Sequence, residues 1–243
     1  MGEALDEQKA LRRLLGGAQA VLFDFDGPVT ALFKGVSTAP VADEIKDAVR
    51  GMWGDLDQDV EDCHDSHDIL RRVREMYDRP STTGRNPAAL ERAEGIVTEH
   101  ESVAVKSAGP QPHFIDLVKA LRNRHKRLAI VSNNAAGPIL EFLEARDLRP
   151  EFETVAGRDP SDPHRMKPDP DSVNRAVERL KLEPSDCLFV GDQLTDLEAS
   201  LRAGTPFLGY TPSKKLAAEM RQKGAQWVVS SHRPLLSAAM SIA

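Results

Sequence analysis

Four short segments carry the groups in this chain that could do chemistry. Asp24 and Asp26 stand in V-L-F-D-F-D-G-P-V-T, Ser132 in L-A-I-V-S-N-N, Lys167 in M-K-P-D-P, and Asp192 with Asp196 in L-F-V-G-D-Q-L-T-D. Together they supply a carboxylate nucleophile, a second carboxyl group, a hydroxyl, an ammonium and an acid pair able to bind a metal. That inventory suits phosphoryl transfer through an aspartyl-phosphate intermediate. Asp24 and Asp26 are two residues apart, so an extended segment points both side chains the same way. Two close carboxylates resist simultaneous ionisation, which lets one attack phosphorus while the other, protonated, gives its proton to the leaving alkoxide and, once ionised, activates water. Gly27 permits a tight turn beside them. Asp192, with Asp24, offers hard oxygen ligands to Mg²⁺. Lys167 and Ser132 can neutralise and hydrogen-bond the phosphoryl oxygens. Each segment alone has an ordinary reading as a turn, a helix cap or a surface cation. The weight lies in all four occurring at comparable places in the fold.

For three of the four, those places are the ends of apolar runs. Ala20–Phe23, Leu128–Val131 and Leu188–Val190 are continuous rather than alternating in hydrophobicity, as expected of strands buried on both faces of a parallel sheet. Thr205–Tyr210 and Trp227–Val229 read as further strands. Helical stripes lie between them, including Ile139, Leu140, Phe142 and Leu143, and Val173, Ala176, Val177 and Leu180. The helix after Gly191 is expected to be capped by Thr195 or Asp196 and to stop at Gly204. A short leading helix would carry Leu5, Leu11, Leu14 and Leu15. Strands alternating with helices over 107–243 predict an α/β fold with a mainly parallel sheet, which binds ligands beyond the carboxyl ends of its strands. Residues 34–106 carry only helical patterns: Val41, Ile45, Ala48, Val49 and Met52; Ile69, Leu70, Val73 and Met76; Leu90, Ala93, Ile96, Val97 and Val103. The turn-rich stretch Arg79–Gly84 breaks them. The expected organisation is a core of 1–33 and 107–243 interrupted by a helical insertion at 34–106.

In this order the segments resemble the four motifs of the haloacid dehalogenase-like hydrolase superfamily: D-F-D-G-P-V-T the first, S-N the second, K-P-D-P the third and G-D-Q-L-T-D the fourth. The resemblance is to the phosphatase side, with a helical cap like that of phosphoglycolate phosphatases and beta-phosphoglucomutases. It implies a Rossmann-like core, Mg²⁺ dependence, Asp24 as nucleophile and Asp26 as acid/base. It also implies Asp192 as a metal ligand, with the main-chain carbonyl of Asp26 contributing. Asp196 would reach the metal through water or orient Lys167. Gly27, Ser132, Asn133 and Lys167 would hold the phosphate. Pro28 and Gln193 depart from the residues usual at their positions, and the long polar stretch Arg158–Arg165 could touch substrate.

Asp26 discriminates among the chemistries of such a scaffold. Halide leaves without a proton, so dehalogenation does not need it. Phosphonate cleavage in the resembling family replaces it and needs an imine-forming lysine, for which Lys34 and Lys46 are the candidates. A phosphomutase keeps both aspartates and stays open. A non-catalytic binding protein of the same fold would be expected to have lost a charged group. The substrate expected is a small phosphorylated metabolite, a sugar phosphate or a phosphoglycolate-like acid. Arg71, Arg72, Arg74, Tyr77, Arg79 and Arg85 could grip it, or could form the wet face of a helix.

The net charge of −6 invites neither nucleic acid nor an anionic membrane, and the basic run Arg122–Arg127 reads as a solvated helix end. Cys63 and Cys187 show no pairing pattern. Cys63 with His64 and His67 is a weak metal signal, better read as a partly exposed helix. The first residues lack the apolar centre of a secretory signal, and no apolar run approaches the roughly 20 residues that span a bilayer. A cytoplasmic location is expected.

Overall fold

The structure, a computed structural model, describes residues 2–33, 35–80 and 84–242. The side chain of Leu5, all of Lys34, and Ser81, Thr82 and Thr83 of the expected turn lie outside the described residues.

Six parallel strands form one sheet in the order β3-β2-β1-β4-β5-β6. They are β1 (Ala20–Phe23), β2 (Arg127–Val131), β3 (Thr154–Ala156), β4 (Cys187–Gly191), β5 (Phe207–Tyr210) and β6 (Trp227–Val229). β1 is central, with Leu22 opposite Ala129 on one side and Phe189 on the other. Every residue of β1 and β4 is buried, which accounts for their unbroken apolar sequences.

Helices cover both faces. α1 (Gly2–Gly17), α6 (Phe114–Asn123), α7 (Ala136–Glu144) and α11 (His232–Met240) close one of them. Their shared core includes Leu11, Phe114, Phe142 and Leu235, with Phe25 meeting Phe142 edge-on at 5.2 Å. α8 (Asp171–Leu180), α9 (Leu194–Ala203) and α10 (Lys214–Gln222) pack the other face through Val173, Leu197 and Met220.

Between β1 and β2 the chain is helical: α2 (Ala39–Trp53), α3 (Gln58–Glu61), α4 (Asp68–Asp78) and α5 (Ala88–Ser107). These helices share a separate apolar core of Val41, Ile45, Val49, Ile69, Val73 and Ile96, into which Met166 also inserts.

The differences from the sequence reading have local causes. β3 was not anticipated, because three residues carry too little periodicity to register. β5 begins at Phe207 rather than Thr205; the Thr205 N–H instead closes the end of α9 on the Ser200 carbonyl. Met52 and Val103 fall off their stripes and are exposed. Glu101, not Val103, continues the buried stripe of α5. Cys63 is buried in the insertion's core rather than lying on an exposed helix.

Candidate active site

The order of the sheet reverses direction beside β1, where the chain passes from β3 on one flank to β4 on the other. Crevices form at such places beyond the carboxyl ends of the strands. Here a cavity of about 400 Å³ opens there, lined by Asp24, Asp26, Gly27, Ser132, Asn133, Lys167, Asp192 and Asp196. All eight residues to which the resemblance gives a role line this one cavity.

β1 delivers Asp24, β2 delivers Ser132 and β4 delivers Asp192, each just past the strand's last residues. Gly27 has φ 109°, and a Cβ there would fall 2.3 Å from Asp192 Cγ. Only glycine lets the turn after β1 approach β4 so closely. That turn is tied down from outside: the Gln111 amide donates to the Gly27 carbonyl at 2.8 Å, and the His232 ring to the Pro28 carbonyl at 2.6 Å. Asp26 Oδ1 accepts the Leu32 N–H at 2.7 Å.

Lys167 lies in the loop before α8, and its side chain is buried to 3% exposure. Its Nζ stands 2.7 Å from Asp24 Oδ1 and 2.5 Å from Asp196 Oδ1. Asp196 is fully engaged, since its Oδ2 accepts the N–H groups of Asp192 and Gln193, each at 2.9 Å. Gln193 is the N-cap of α9, and Asp196, three residues on, completes a reciprocal capping box. The expected caps, Thr195 and Asp196, therefore sit inside the helix, and Asp196 both caps α9 and orients Lys167.

Ser132 Oγ donates to Asn134 Oδ1 and accepts the Asn134 N–H, each at 3.1 Å. The Asn133 side chain is spent on the Lys167 backbone, accepting its N–H at 2.8 Å and donating to its carbonyl at 3.3 Å. The buried Asn134 Nδ2 has no partner among the described residues and lines the same cavity. It is a donor the sequence reading did not name.

The charges do not balance. Asp24, Asp192 and Asp196 bring carboxylate oxygens within 4.8 Å of one another, beside a single ammonium. Burial, and then Asp196, push Asp24 up to about 7 despite Lys167. Burial, then Asp196 and Asp24, push Asp192 up to about 9. Burial also raises Asp26, held back by the N–H groups of Leu32 and Phe33. For Lys167 burial alone would lower the value, but Asp196 and Asp24 outweigh it and the group stays firmly protonated. Asp192 Oδ1 is buried with no partner among the described residues. Surplus carboxylate charge and an orphaned oxygen are what a hard divalent cation satisfies. The donor set fits such an ion.

The helical insertion reaches this site through His67, just before α4, which lines the cavity. His67 was passed over as part of a weak cysteine–histidine cluster, yet the only group of His, Cys, Asp and Glu able to hold an ion among the described residues is Asp24, Asp192 and Asp196. The arginines offered as substrate contacts are engaged elsewhere. Arg71 donates to the Lys167 carbonyl at 2.8 Å, Arg72 pairs with Asp68, Arg74 with Asp78, and Arg79 with Asp57 and Asp59; Arg85 bonds the Met76 carbonyl. Tyr77 stacks on Trp53. Lys46, a candidate amine, is buried beside Asp43 and does not line the cavity. In the Arg158–Arg165 stretch, Arg158 is buried against α5 and Arg165 pairs with Asp159; none of it lines the cavity.

Known proteins share both fold and sequence with this chain. Phosphoglycolate phosphatase of Escherichia coli is 36% identical over 100 residues, 41% of this chain and 39% of that protein. The protein of the same name from Nitrosospira multiformis is 31% identical over 156 residues, 64% of this chain and 57% of that one. The chain thus spans between about two fifths and three fifths of the length of these curated relatives. Among solved structures, a mutant CbbY from Rhodobacter sphaeroides in complex with xylulose-(1,5)bisphosphate superposes with a TM-score of 0.60 at 18% identity, over 88% of this chain and 94% of that one. A predicted phosphatase from Clostridium acetobutylicum gives 0.63 at 18% identity, over 90% and 96%. These establish a common fold. The family model for haloacid dehalogenase-like hydrolases matches residues 18–204, and the chain belongs to that family.

Proposed function

We propose that the protein is a Mg²⁺-dependent phosphomonoester hydrolase that works through a phosphorylated Asp24. The observation that carries the reading is Lys167 Nζ bridging Asp24 and Asp196 beside the Asp192 oxygen that has no partner among the described residues, all lining one cavity. In this reading Lys167 holds one oxygen of Asp24, and the other attacks phosphorus in line as the bond to the leaving oxygen breaks. Asp26, whose carboxyl is raised by burial, gives its proton to that leaving oxygen. Now ionised, Asp26 takes a proton from water, which breaks the phosphorus–Asp24 bond and releases inorganic phosphate. Lys167, Ser132 and the N–H groups beside Gly27 and Asn133 hold the phosphoryl oxygens. Asp24, Asp192 and the Asp26 carbonyl would hold the cation, with Asp196 acting through Lys167. When bound, Mg²⁺ keeps Asp24 and Asp192 ionised and draws charge from the phosphoryl oxygens.

Residues 1–33 and 107–243 form the catalytic core in this reading, and 34–106 a cap that closes over the leaving group and excludes water. The substrate is a small phosphorylated metabolite, a sugar phosphate or an acid like phosphoglycolate. The relatives named phosphoglycolate phosphatase and a cavity of about 400 Å³ support that size class. A mutase would have to hold a second phosphate; among the described residues the cations lining the cavity are Lys167, already committed to two carboxylates, and His67 when protonated. The net charge of −6 speaks against a polyanionic partner, and two free cysteines, Cys63 and Cys187, suit the cytoplasm. No helix of the described residues is long and apolar enough to cross a membrane.

The test is phosphate release from p-nitrophenyl phosphate and a panel of phosphorylated metabolites. Activity that needs Mg²⁺ and disappears in Asp24→Asn supports the reading. Robust turnover in that variant overturns it.

A further inference from the structure

A second buried cation sits where α5 of the cap meets the core. Arg158 follows β3, and its side chain is fully buried. Its Nε and Nη2 bond Glu94 at 2.9 and 2.7 Å, and its Nη1 bonds Glu101 at 2.9 Å and the Asn133 carbonyl at 2.7 Å. Glu101 is itself fully buried and saturated. Its Oε1 accepts from His67 Nε2 at 3.0 Å as well as from Arg158, and its Oε2 accepts the Ala135 N–H at 2.9 Å.

We propose that Glu101 and Arg158 are positioning residues for the reaction, a buried pair that fixes the His67 ring over the cavity and registers the cap against the Asn133–Ala135 turn. The inference rests on the hydrolase reading above. An ionised carboxylate only accepts, so the bond to Glu101 obliges His67 to carry a proton on Nε2 and sets the ring's orientation. On the core side the same pair holds the backbone at Asn133 and Ala135, and the Asn133 side chain holds the backbone of Lys167. One cluster therefore ties a cavity-lining residue of the cap to the turn and the lysine that face it. A cap needing only attachment would be served as well by apolar contact, because burying a charged pair is costly. What the ionic cluster adds is a fixed angle and register.

The experiment compares Glu101→Gln, His67→Ala and the double variant, with p-nitrophenyl phosphate and phosphoglycolate as probes and thermal unfolding as control. Positioning predicts that Glu101→Gln loses about tenfold in kcat/KM, mainly through KM, and that the same change made in His67→Ala costs less than twofold. A purely structural role would leave an equal kinetic loss in both backgrounds, whatever the change in unfolding temperature, and that result would overturn the proposal. Should Glu101→Gln not fold, Arg158→Lys keeps the charge, breaks the fork and carries the same comparison. Long-range proton–nitrogen spectra of the His67 ring need no turnover. A single Nε2–H tautomer in the wild type that becomes mixed in the variant supports positioning, and an unchanged ring contradicts it. Wild-type protein inert towards every ester would sink the hydrolase reading while these spectra still decide the pair.

Discussion

Two buried clusters in this molecule are built alike, a cation between two carboxylates, and they behave in opposite ways. At the carboxyl ends of β1 and β4, Lys167 lies between Asp24 and Asp196. At the junction of α5 with the core, Arg158 lies between Glu94 and Glu101. The guanidinium is a fork whose donors saturate its partners, and the Glu101 carboxyl is held below its usual range: burial alone would raise it, but His67 and Arg158 prevail. The ammonium is a point charge facing too many carboxylates; burial first, and that crowding after it, raise Asp24 to about 7 and Asp192 to about 9, and one Asp192 oxygen has no partner among the described residues. Saturation fixes geometry. A shortfall of positive charge leaves a place for a cation and a substrate.

The contrast can be broken by mutation. The largest effect is expected from Asp24→Asn, which should lower kcat on the order of 10⁴-fold or more while leaving the folded chain at least as stable, because it removes surplus charge. Phosphate release and thermal unfolding on the same sample check both halves. Arg158→Met should show its largest effect on stability instead, lowering the unfolding free energy by about 3–5 kcal/mol by stranding Glu101, with a kinetic loss far smaller than that of Asp24→Asn. Lys167→Met should cost less stability than that in urea titration although it abolishes turnover, since Asp24 and Asp192 can take up protons. Equal losses from the two cations would dissolve the distinction drawn here.

Metal and pH sharpen the contrast. Mg²⁺ at about a hundred times its Kd should stabilise the protein by about 2.7 kcal/mol, and Asp192→Asn should cancel that gain. The sign of the pH dependence follows from the raised carboxylates. Between the ordinary value of 3.8 and about 9 the cation-free folded chain holds protons that the unfolded chain releases. Its stability therefore falls as pH rises through that window, and the increment from Mg²⁺ should grow with pH. Differential scanning fluorimetry across pH, with and without the ion, reads this directly. The smallest effect belongs to His232, a neutral device that holds the Pro28 carbonyl. Burial lowers its value from 6.5 to about 4, so the unfolded chain binds a proton that the folded chain refuses. Stability present above 6.5 is lost as pH falls towards 4, by about 1 kcal/mol at an intermediate pH, and His232→Gln should flatten that slope.

The unbalanced cluster was legible in the sequence because a parallel sheet writes its site in a readable place. Buried strands are unbroken apolar runs, and the polar residue that ends each run points into the crevice, as Asp24, Ser132 and Asp192 do. The saturated cluster was not legible, since its members come from three elements far apart in sequence and each has an ordinary solvated reading. Glu101 did leave a trace. It occupies a place on the buried stripe of α5, four residues after Val97 and four before Val105, where an apolar side chain is expected. A carboxylate on a buried stripe needs a partner, and Arg158 is that partner. His67 left no such trace, because its position depends on where α4 starts rather than on periodicity. The arginines of the insertion carried two readings in the sequence, a substrate grip or the wet face of a helix, and helix-surface carboxylates at spacings of three and four hold several of them, as the second reading has it.

The reading of the unbalanced cluster is tested most directly by chemical trapping during turnover. Acid-quenched protein taken in the steady state would be reduced with borohydride, which converts an aspartyl phosphate to homoserine, and then digested for peptide mass spectrometry. Homoserine at position 24, absent without substrate and absent in Asp24→Asn, is the predicted result. Active enzyme that never yields it, or that yields it at Asp26, Asp192 or Asp196 instead, would contradict the assignment of Asp24 as nucleophile.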